Sequence, residues 1–197
     1  VVMLFCSFAN IINDLFDLNT DRINNPKKYF KNLLLNNFIL LAILLLLLIT
    51  SLILAHTYFP QYAIFYLYLI FTLIILYTPY LKGIPLLGNI IISFILASVF
   101  IITELVLLNS FSGLLLYPVI LTFLLTLIRE VIKDIDDLKG DIAAGINTFP
   151  VIYGLNCTKY LLLILITLLI VISIYPYYLG IYNFQYLVSL VLLVQIP

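Results

Sequence analysis

The sequence has little charge. Only 9% of its 197 residues are Asp, Glu, Lys or Arg, against roughly a quarter in a typical soluble domain. The formal net charge is zero, which argues against a nucleic acid as a partner because such proteins carry an excess of basic residues. Tryptophan is absent and cysteine occurs only twice, as Cys6 and Cys157. We interpret both cysteines as reduced structural thiols, which excludes a disulfide scaffold.

Apolar residues take the place of the missing charges, since 65% of the chain is hydrophobic. A membrane-spanning helix needs about 20 mostly apolar residues, because the hydrocarbon core of a bilayer is roughly 30 Å thick. Stretches of this kind predict seven spans, at 1–16, 33–54, 61–78, 86–107, 113–134, 158–175 and 179–196. The spans should be helices because backbone polar groups in lipid must be satisfied within the segment. The sequence therefore predicts an all-α, polytopic bundle that forms one domain over 1–197.

The basic residues are distributed asymmetrically among the predicted connections. All nine Lys and Arg lie in or beside the connections after the first, third and fifth spans. The intervening connections have none, so every basic residue lies on one side of the membrane. The positive-inside rule makes that side cytoplasmic. Eight of the nine acidic residues lie on the same side, and the rule does not require this.

Two aspartate clusters account for most of these acids. Both have the spacing i, i+3, i+7, and the clusters comprise Asp14, Asp17 and Asp21, and then Asp134, Asp137 and Asp141. On a helix this spacing keeps three carboxylates within about 60° of one face. Asn10 and Glu130 lie on the same stripes one turn earlier, whereas Asp136 falls on the opposite side, as a solvated charge would.

Three like charges on one helix face at a membrane boundary repel one another, and ionisable residues in membranes mark function. Mg²⁺ prefers hard oxygen ligands and is usually held by one or two carboxylates together with substrate phosphates. Two facing clusters around a diphosphate would suit two or more such ions. Ordinary solvated helix ends are the alternative, and one cluster alone would favour it. Two matched clusters on the same side favour the metal site.

The same residues resemble the motifs of a known family. NDLFDLNTD at 13–21 resembles the first motif, NDxxDxxxD, of the UbiA superfamily of intramembrane prenyltransferases, and DIDDLKGD at 134–141 resembles the second, DxxDxxxD. The resemblance implies nine spans around a central cavity, so we expect one span before Val1 and one after Pro197. It also implies a magnesium-dependent enzyme that moves a prenyl group from a polyprenyl diphosphate to a lipophilic acceptor. Its active site would open to the cytoplasmic side of the membrane.

The resemblance also assigns roles to individual residues. The expected magnesium ligands are Asp14, Asp17, Asp134 and Asp137, with Asp21 and Asp141 completing the sites directly or through water. Residues expected to contact the diphosphate are Asn13, Arg22, Tyr77, Lys82, Arg129 and Lys133, and Lys82 joins the four principal aspartates as a catalytic residue. Tyr80 is an equal rival of Tyr77 for the tyrosine role.

The acceptor is harder to read from the sequence. The segment 129–154 most resembles the archaeal branch of the superfamily, which prenylates geranylgeranylglyceryl phosphate in ether-lipid synthesis. An aromatic prenyltransferase of quinone biosynthesis, acting on 4-hydroxybenzoate or a naphthoate, is the alternative within the family. A transporter is the alternative of another class, although its acids would lie near the membrane midplane.

Two further polar residues have open roles. Asn89 follows Gly88 near the start of a predicted span, where it is either a helix cap or a substrate contact. Glu104 is the one acid away from the cytoplasmic side. It lies either near the outer interface or against the cavity.

Overall fold

The computed structural model describes residues 1–16 and 37–190, and this part of the chain is helical without strands. The helices are α1 (Val2–Phe16), α2 (Asn37–Tyr58), α3 (Gln61–Leu76), α4 (Leu87–Leu108), α5 (Leu116–Asp136), α6 (Leu138–Ala144), α7 (Phe149–Tyr178) and α8 (Phe184–Leu190). A π-helical turn over Tyr77–Leu81 extends α3. The all-α prediction is confirmed, and each predicted span overlaps one long helix or, for the last span, α8.

The helices expose apolar surface as membrane helices do. Within the described residues, α4 and α7 are long and apolar enough to cross a bilayer, and α1, α3 and the stretch Ala42–Tyr58 are shorter apolar helices. Large side chains on α7 face outward, including Leu163 and Ile164, which are 62% and 64% exposed. So much exposed apolar surface is unfavourable in water and favourable in lipid.

The helix α4 lies at the centre of the packing. It forms an antiparallel hairpin with α5, and it also contacts α3, while α7 packs on α5 and α2 packs on α1. Buried apolar residues join α1, α2, α3 and α4 into one cluster that includes Phe5, Leu67 and Ile95. A second cluster joins α5 to α7 through Leu127, Val131 and Leu165. The first cluster and the contact between α4 and α5 place α1, α3, α4 and α5 around a common space.

Glu104 stabilises the hairpin at the end of α4. Its side chain is only 2% exposed. One carboxylate oxygen accepts hydrogen bonds from the amide of Ser112 (2.5 Å), the hydroxyl of Ser112 (2.8 Å) and the amide of Gly113 (2.6 Å). The other accepts one from the amide of Leu115 at 3.0 Å. Amides before the first turn of a helix lack partners within it, so Glu104 satisfies the start of α5 and is a structural residue of this loop.

The helix α7 contains two departures from regular geometry. It begins nine residues before the predicted start at position 158, and Gly154 interrupts it with φ 78° and ψ 165°, a conformation essentially restricted to glycine. Farther along, Pro176 has no amide hydrogen to donate to the carbonyl of Ile172. The hydroxyl of Tyr117 donates to that carbonyl instead, at 2.6 Å. The α5–α7 contact thus satisfies a group that proline leaves without its helical partner.

Candidate active site

A cavity of about 240 Å³ lies between α1, α3, α4 and α5. Most of its wall is apolar, and the apolar lining residues are Val2, Phe5, Cys6, Ala9, Leu67, Ile70, Ile74, Ile92, Ile95, Leu96, Val99 and Ile102. The polar lining residues are Asn10, Asn13, Tyr77, Arg129, Glu130 and Lys133. The cavity therefore combines a lipophilic chamber with a charged and hydrogen-bonding end.

The positions of the lining residues along the helices give the cavity a direction. On α1 the lining runs from Val2 to Asn13, which is roughly 16 Å at 1.5 Å per residue. The polar members lie at the C-terminal end of α1, at the residue following α3, and in the last two turns of α5. These three ends meet on one side of the bundle, so the polar groups form a mouth and the apolar residues form the depth.

The second aspartate motif lies at the end of α5 and in α6. The helix α5 ends at Asp136, and Asp137 is the junction to α6. The helical hydrogen bonding continues through the junction, because the amide of Asp137 donates to the carbonyl of Lys133 at 2.9 Å and that of Asp141 donates to Asp137 at 3.0 Å. The backbone thereby keeps a near-helical register from Asp134 through Asp141. Asp136 is exposed, as the sequence predicted.

Asp134 is surrounded by polar and charged groups. The side-chain amide of Asn89 on α4 donates a hydrogen bond to its Oδ2 at 2.9 Å. Asp141 and Glu130 repel the Asp134 carboxylate, and Lys133 attracts it. Asp141 is buried and accepts a hydrogen bond from the hydroxyl of Thr148 at 3.1 Å. Glu130 and Asp141 thus both lie within electrostatic reach of Asp134, and of these three carboxylates Glu130 lines the cavity.

Basic side chains from α5 accompany these carboxylates. The guanidinium of Arg129 forms an ion pair with Glu130, with 2.7 Å between Nη1 and Oε1. The Arg129 side chain is 71% exposed, whereas that of Glu130 is 10% exposed. Arg129 and Lys133 both line the cavity mouth, where they are available to contact an anionic group.

The first motif reaches the site from α1. Asn13 lines the cavity, and Asp14 follows it in the last turn of α1. Asp17, Asp21 and Arg22 lie outside the described residues, and their assignments stay predictions. Within the described ranges, no three His, Cys, Asp or Glu side chains come close enough together to hold a metal ion.

The π-helical turn after α3 supplies the third side of the mouth. Pro79 lacks an amide hydrogen, which disfavours a regular α-helical turn at this point. The amide of Lys82 donates to the carbonyl of Tyr77, five residues earlier, at 2.8 Å. Tyr77 lines the cavity, whereas Tyr80 is 71% exposed. The structure therefore favours Tyr77 over Tyr80 for a contact with a ligand in the cavity.

The donor set of this mouth fits a hard divalent cation. Glu130 at the mouth and Asp134 and Asp141 beside it offer carboxylate oxygens, and the repulsion of Asp134 by the other two is a cost that a bound cation would reduce. Asn10 and Asn13, on the facing wall, add amide groups. Oxygen donors of this kind suit Mg²⁺ rather than a soft metal, which prefers thiolate or imidazole.

Comparison with known proteins agrees with this geometry. The model of the UbiA prenyltransferase family matches residues 1–197. The chain belongs to this family. Members generally use Mg²⁺ with diphosphate substrates, and the protein is an integral membrane prenyltransferase.

Several similar proteins within the UbiA family are named digeranylgeranylglyceryl phosphate synthase. The digeranylgeranylglyceryl phosphate synthase of Methanococcus maripaludis is 30% identical over 97% of this chain and 67% of the relative. That of Methanocaldococcus jannaschii is 31% identical over 95% of this chain and 65% of the relative. A solved structure from work on digeranylgeranylglyceryl phosphate synthase in membranes matches with a TM-score of 0.69 and 28% identity, covering 95% of this chain and 66% of that one. The chain thus spans about two thirds of the length of these relatives.

Sequence reasoning assigned no role in the site to Asn10 and Glu130, and it left Asn89 open between a helix cap and a substrate contact. Asn10 and Glu130 line the cavity, and their position on the aspartate stripes, one turn earlier, was the signal for them. Asn89 contacts Asp134 from a helix 45 positions away in sequence. No local pattern could have indicated that contact.

Proposed function

We propose that this protein transfers a geranylgeranyl group from geranylgeranyl diphosphate to the free hydroxyl of geranylgeranylglyceryl phosphate, a step in the synthesis of archaeal ether lipids. The observation that carries the proposal is an apolar cavity whose mouth holds Glu130, Arg129, Lys133 and Tyr77. A polyprenyl diphosphate has the same division between a long apolar tail and an anionic head. The names of the relatives support the choice of acceptor.

The apolar wall would receive the prenyl tail. Side chains such as Phe5, Ile70 and Ile95 are buried around the chamber and offer no polar atom to a reactive centre. When the allylic C–O bond breaks, the diphosphate leaves with the bonding electron pair and a carbocation-like carbon remains. An apolar wall excludes water from that carbon, so the acceptor hydroxyl is the available nucleophile.

The polar mouth would bind the diphosphate. Arg129 and Lys133 would form charge-assisted hydrogen bonds with phosphate oxygens, which are stronger than bonds between neutral groups. Tyr77, Lys82 and Asn13 would add donors from the facing elements, and Arg22 would join them. Interactions that strengthen as negative charge grows on the leaving group lower the barrier. The proton of the acceptor hydroxyl would pass to a nearby carboxylate.

The aspartates would hold two or more magnesium ions beside the diphosphate. Asp14 and Asp17 would serve from the first motif, and Asp134 and Asp137 from the second, with Asp21 and Asp141 completing the sites directly or through water. When bound, Mg²⁺ neutralises negative charge on the diphosphate leaving group. The repulsion of Asp134 by Glu130 and Asp141 supports this assignment, since a cation beside Asp134 would reduce it.

The mouth would open toward the cytoplasm. Arg129, Lys133 and Lys82 all belong to the end of the bundle where the aspartates lie, and the positive-inside rule places such an end on the cytoplasmic side. Both substrates would then enter the site from the cytoplasmic leaflet.

The proposal is tested by product analysis. The purified full-length protein is given geranylgeranyl diphosphate, MgCl2, geranylgeranylglyceryl phosphate and 4-hydroxybenzoate together, and products are identified by mass. We expect digeranylgeranylglyceryl phosphate, and we expect its formation to stop when EDTA is added. A prenylated benzoate instead would move the protein to the quinone-forming enzymes. Absence of both products would contradict prenyl transfer from this donor.

A further inference from the structure

Asn89 is the polar residue of this region for which neither expectation from the sequence fits. It is the third residue of α4 and only 8% exposed. Its side-chain amide does not cap the helix but donates to Oδ2 of Asp134, at 2.9 Å. It is absent from the cavity lining, so its contact is with the candidate metal ligand and not with the space that a substrate would occupy.

The start of α4 is held tightly against the segment that carries Tyr77 and Lys82. A Cβ atom on Gly88 would lie 2.9 Å from the carbonyl oxygen of Lys82 and 3.0 Å from that of Leu81. Leu86 has a positive φ of 62°, and the amide of Leu87 donates to the carbonyl of Pro85 at 2.7 Å, which forms a γ-turn. Such strained turns persist only where the surrounding structure fixes them. The backbone that presents Asn89 is therefore closely constrained.

We infer that Asn89 is a positioning residue, which fixes the Asp134 carboxylate and links it to the segment that carries Tyr77 and Lys82. By donating to Oδ2, Asn89 restricts rotation of the carboxylate and leaves the other oxygen to face a cation. A neutral amide does this and leaves the negative charge of Asp134 available to a cation. A lysine at the same place would instead neutralise that charge. The inference rests on the proposed function for the identity of the cation.

Partners that orient a metal ligand commonly change metal affinity or activity by about 10- to 100-fold when they are removed. We expect Asn89→Ala to raise the MgCl2 concentration for half-maximal prenyl transfer by about tenfold or more. The KM for the acceptor should stay within about twofold of the wild-type value, because Asn89 does not line the cavity. A residue that served only for folding would not change the magnesium dependence separately from the KM for the acceptor.

Ser93→Ala is the matched control. Ser93 is fully buried one turn farther along α4, and its hydroxyl donates to the carbonyl of Asn89 at 2.6 Å. The control thus removes a buried polar group beside Asn89 without touching Asp134. We expect its magnesium dependence to equal that of the wild type. Asn89→Leu is the second variant, because it keeps the branched shape of asparagine while it removes the donor and adds no carboxylate, and it serves if the alanine variant does not fold.

A binding measurement separates this inference from the proposed function. Thermal unfolding of the detergent-solubilised full-length protein is followed with and without MgCl2 and inorganic diphosphate, under conditions without turnover. We expect these ligands to raise the Tm of the wild type and of Ser93→Ala, and to raise that of the Asn89 variants clearly less. Equal shifts in Asn89→Leu and Ser93→Ala would overturn the positioning role. An inactive wild type whose Tm still rises would count against the proposed acceptor chemistry alone.

Discussion

At the scale of single residues, Tyr77 and Tyr80 show how the π-helical turn selects one of two similar side chains. Tyr77 is half-buried and lines the cavity, while Tyr80, three residues on, is 71% exposed. Both belong to the same five-residue turn. Because their surroundings differ, variants of the two residues can show which hydroxyl contacts the substrate.

We predict that Tyr77→Phe raises the KM for the diphosphate substrate by about tenfold, since a hydrogen bond to a charged group contributes roughly 1.5–3 kcal/mol. Tyr80→Phe is the matched control and should stay within about twofold of the wild type. Steady-state kinetics with geranylgeranyl diphosphate as the varied substrate measure both. The two variants behaving alike would contradict the role assigned to Tyr77.

The residues of the site differ in how far the sequence could predict them. The regular spacing of the aspartates could be recognised from the sequence, because residues three and seven positions apart share a helix face, and the cluster around Asp14 stays a prediction. The Asn89–Asp134 hydrogen bond could not be predicted, because it depends on how α4 packs against α5. The role of Glu104 likewise could not be predicted, because it depends on the position of the loop at 112–115, whose amides donate to its carboxylate.

At the scale of elements, the connection between α3 and α4 is the least regular and most constrained part of the site. It combines the π-helical turn, the γ-turn at Leu86 and the close approach at Gly88. Proline at position 79 and glycine at 88 are the sequence features behind two of these. That these two residues interrupt a helix could be predicted from the sequence. The shape of the connection could not, because it depends on contacts with the rest of the bundle.

We predict that Gly88→Ala destabilises the protein by roughly 1–3 kcal/mol, the usual range for overpacking, and lowers activity. Its Cβ would lie within 3.1 Å of three backbone atoms of Leu81 and Lys82, which cannot move aside as a side-chain tip can. Gly83→Ala is the control, because its Cβ would meet a side-chain carbon of Ile146 at an ordinary 3.9 Å. Thermal unfolding in detergent and turnover measure both variants. Equal stability of the two variants would contradict this packing.

The long helices illustrate what apolar length can and cannot predict. The central part of α7 was predictable from hydropathy, but its start at Phe149 was not. The preceding residue, Thr148, is extended, and Pro150 lies in the first turn, where proline is well tolerated. The break at Gly154 and the Tyr117 contact near Pro176 are local irregularities that a count of apolar residues does not detect.

At the scale of the whole molecule, polarity separates along the bundle. One end of the bundle holds the charged mouth, the middle is an apolar chamber, and Glu104 is bound into the loop at the far end of α4. The sequence predicted the charged end, because its basic residues and its acidic residues other than Glu104 lie together in or beside every second connection. A further span before Val1 and another after Pro197 stay predictions.

The central claim is that the aspartates beside the cavity mouth are required for prenyl transfer. A comparison of Asp134 with Asp136 tests this claim most directly. Both lie in the last turn of α5, but Asp134 faces Asn89 and Asp141, whereas Asp136 is exposed. The measurement is kcat for prenyl transfer in MgCl2 by each Asp→Asn variant of the folded, purified full-length protein. We predict a loss of about 100-fold or more for Asp134→Asn, because magnesium at a leaving group contributes several kcal/mol, and a change within about twofold for Asp136→Asn. Wild-type turnover by Asp134→Asn would contradict the account.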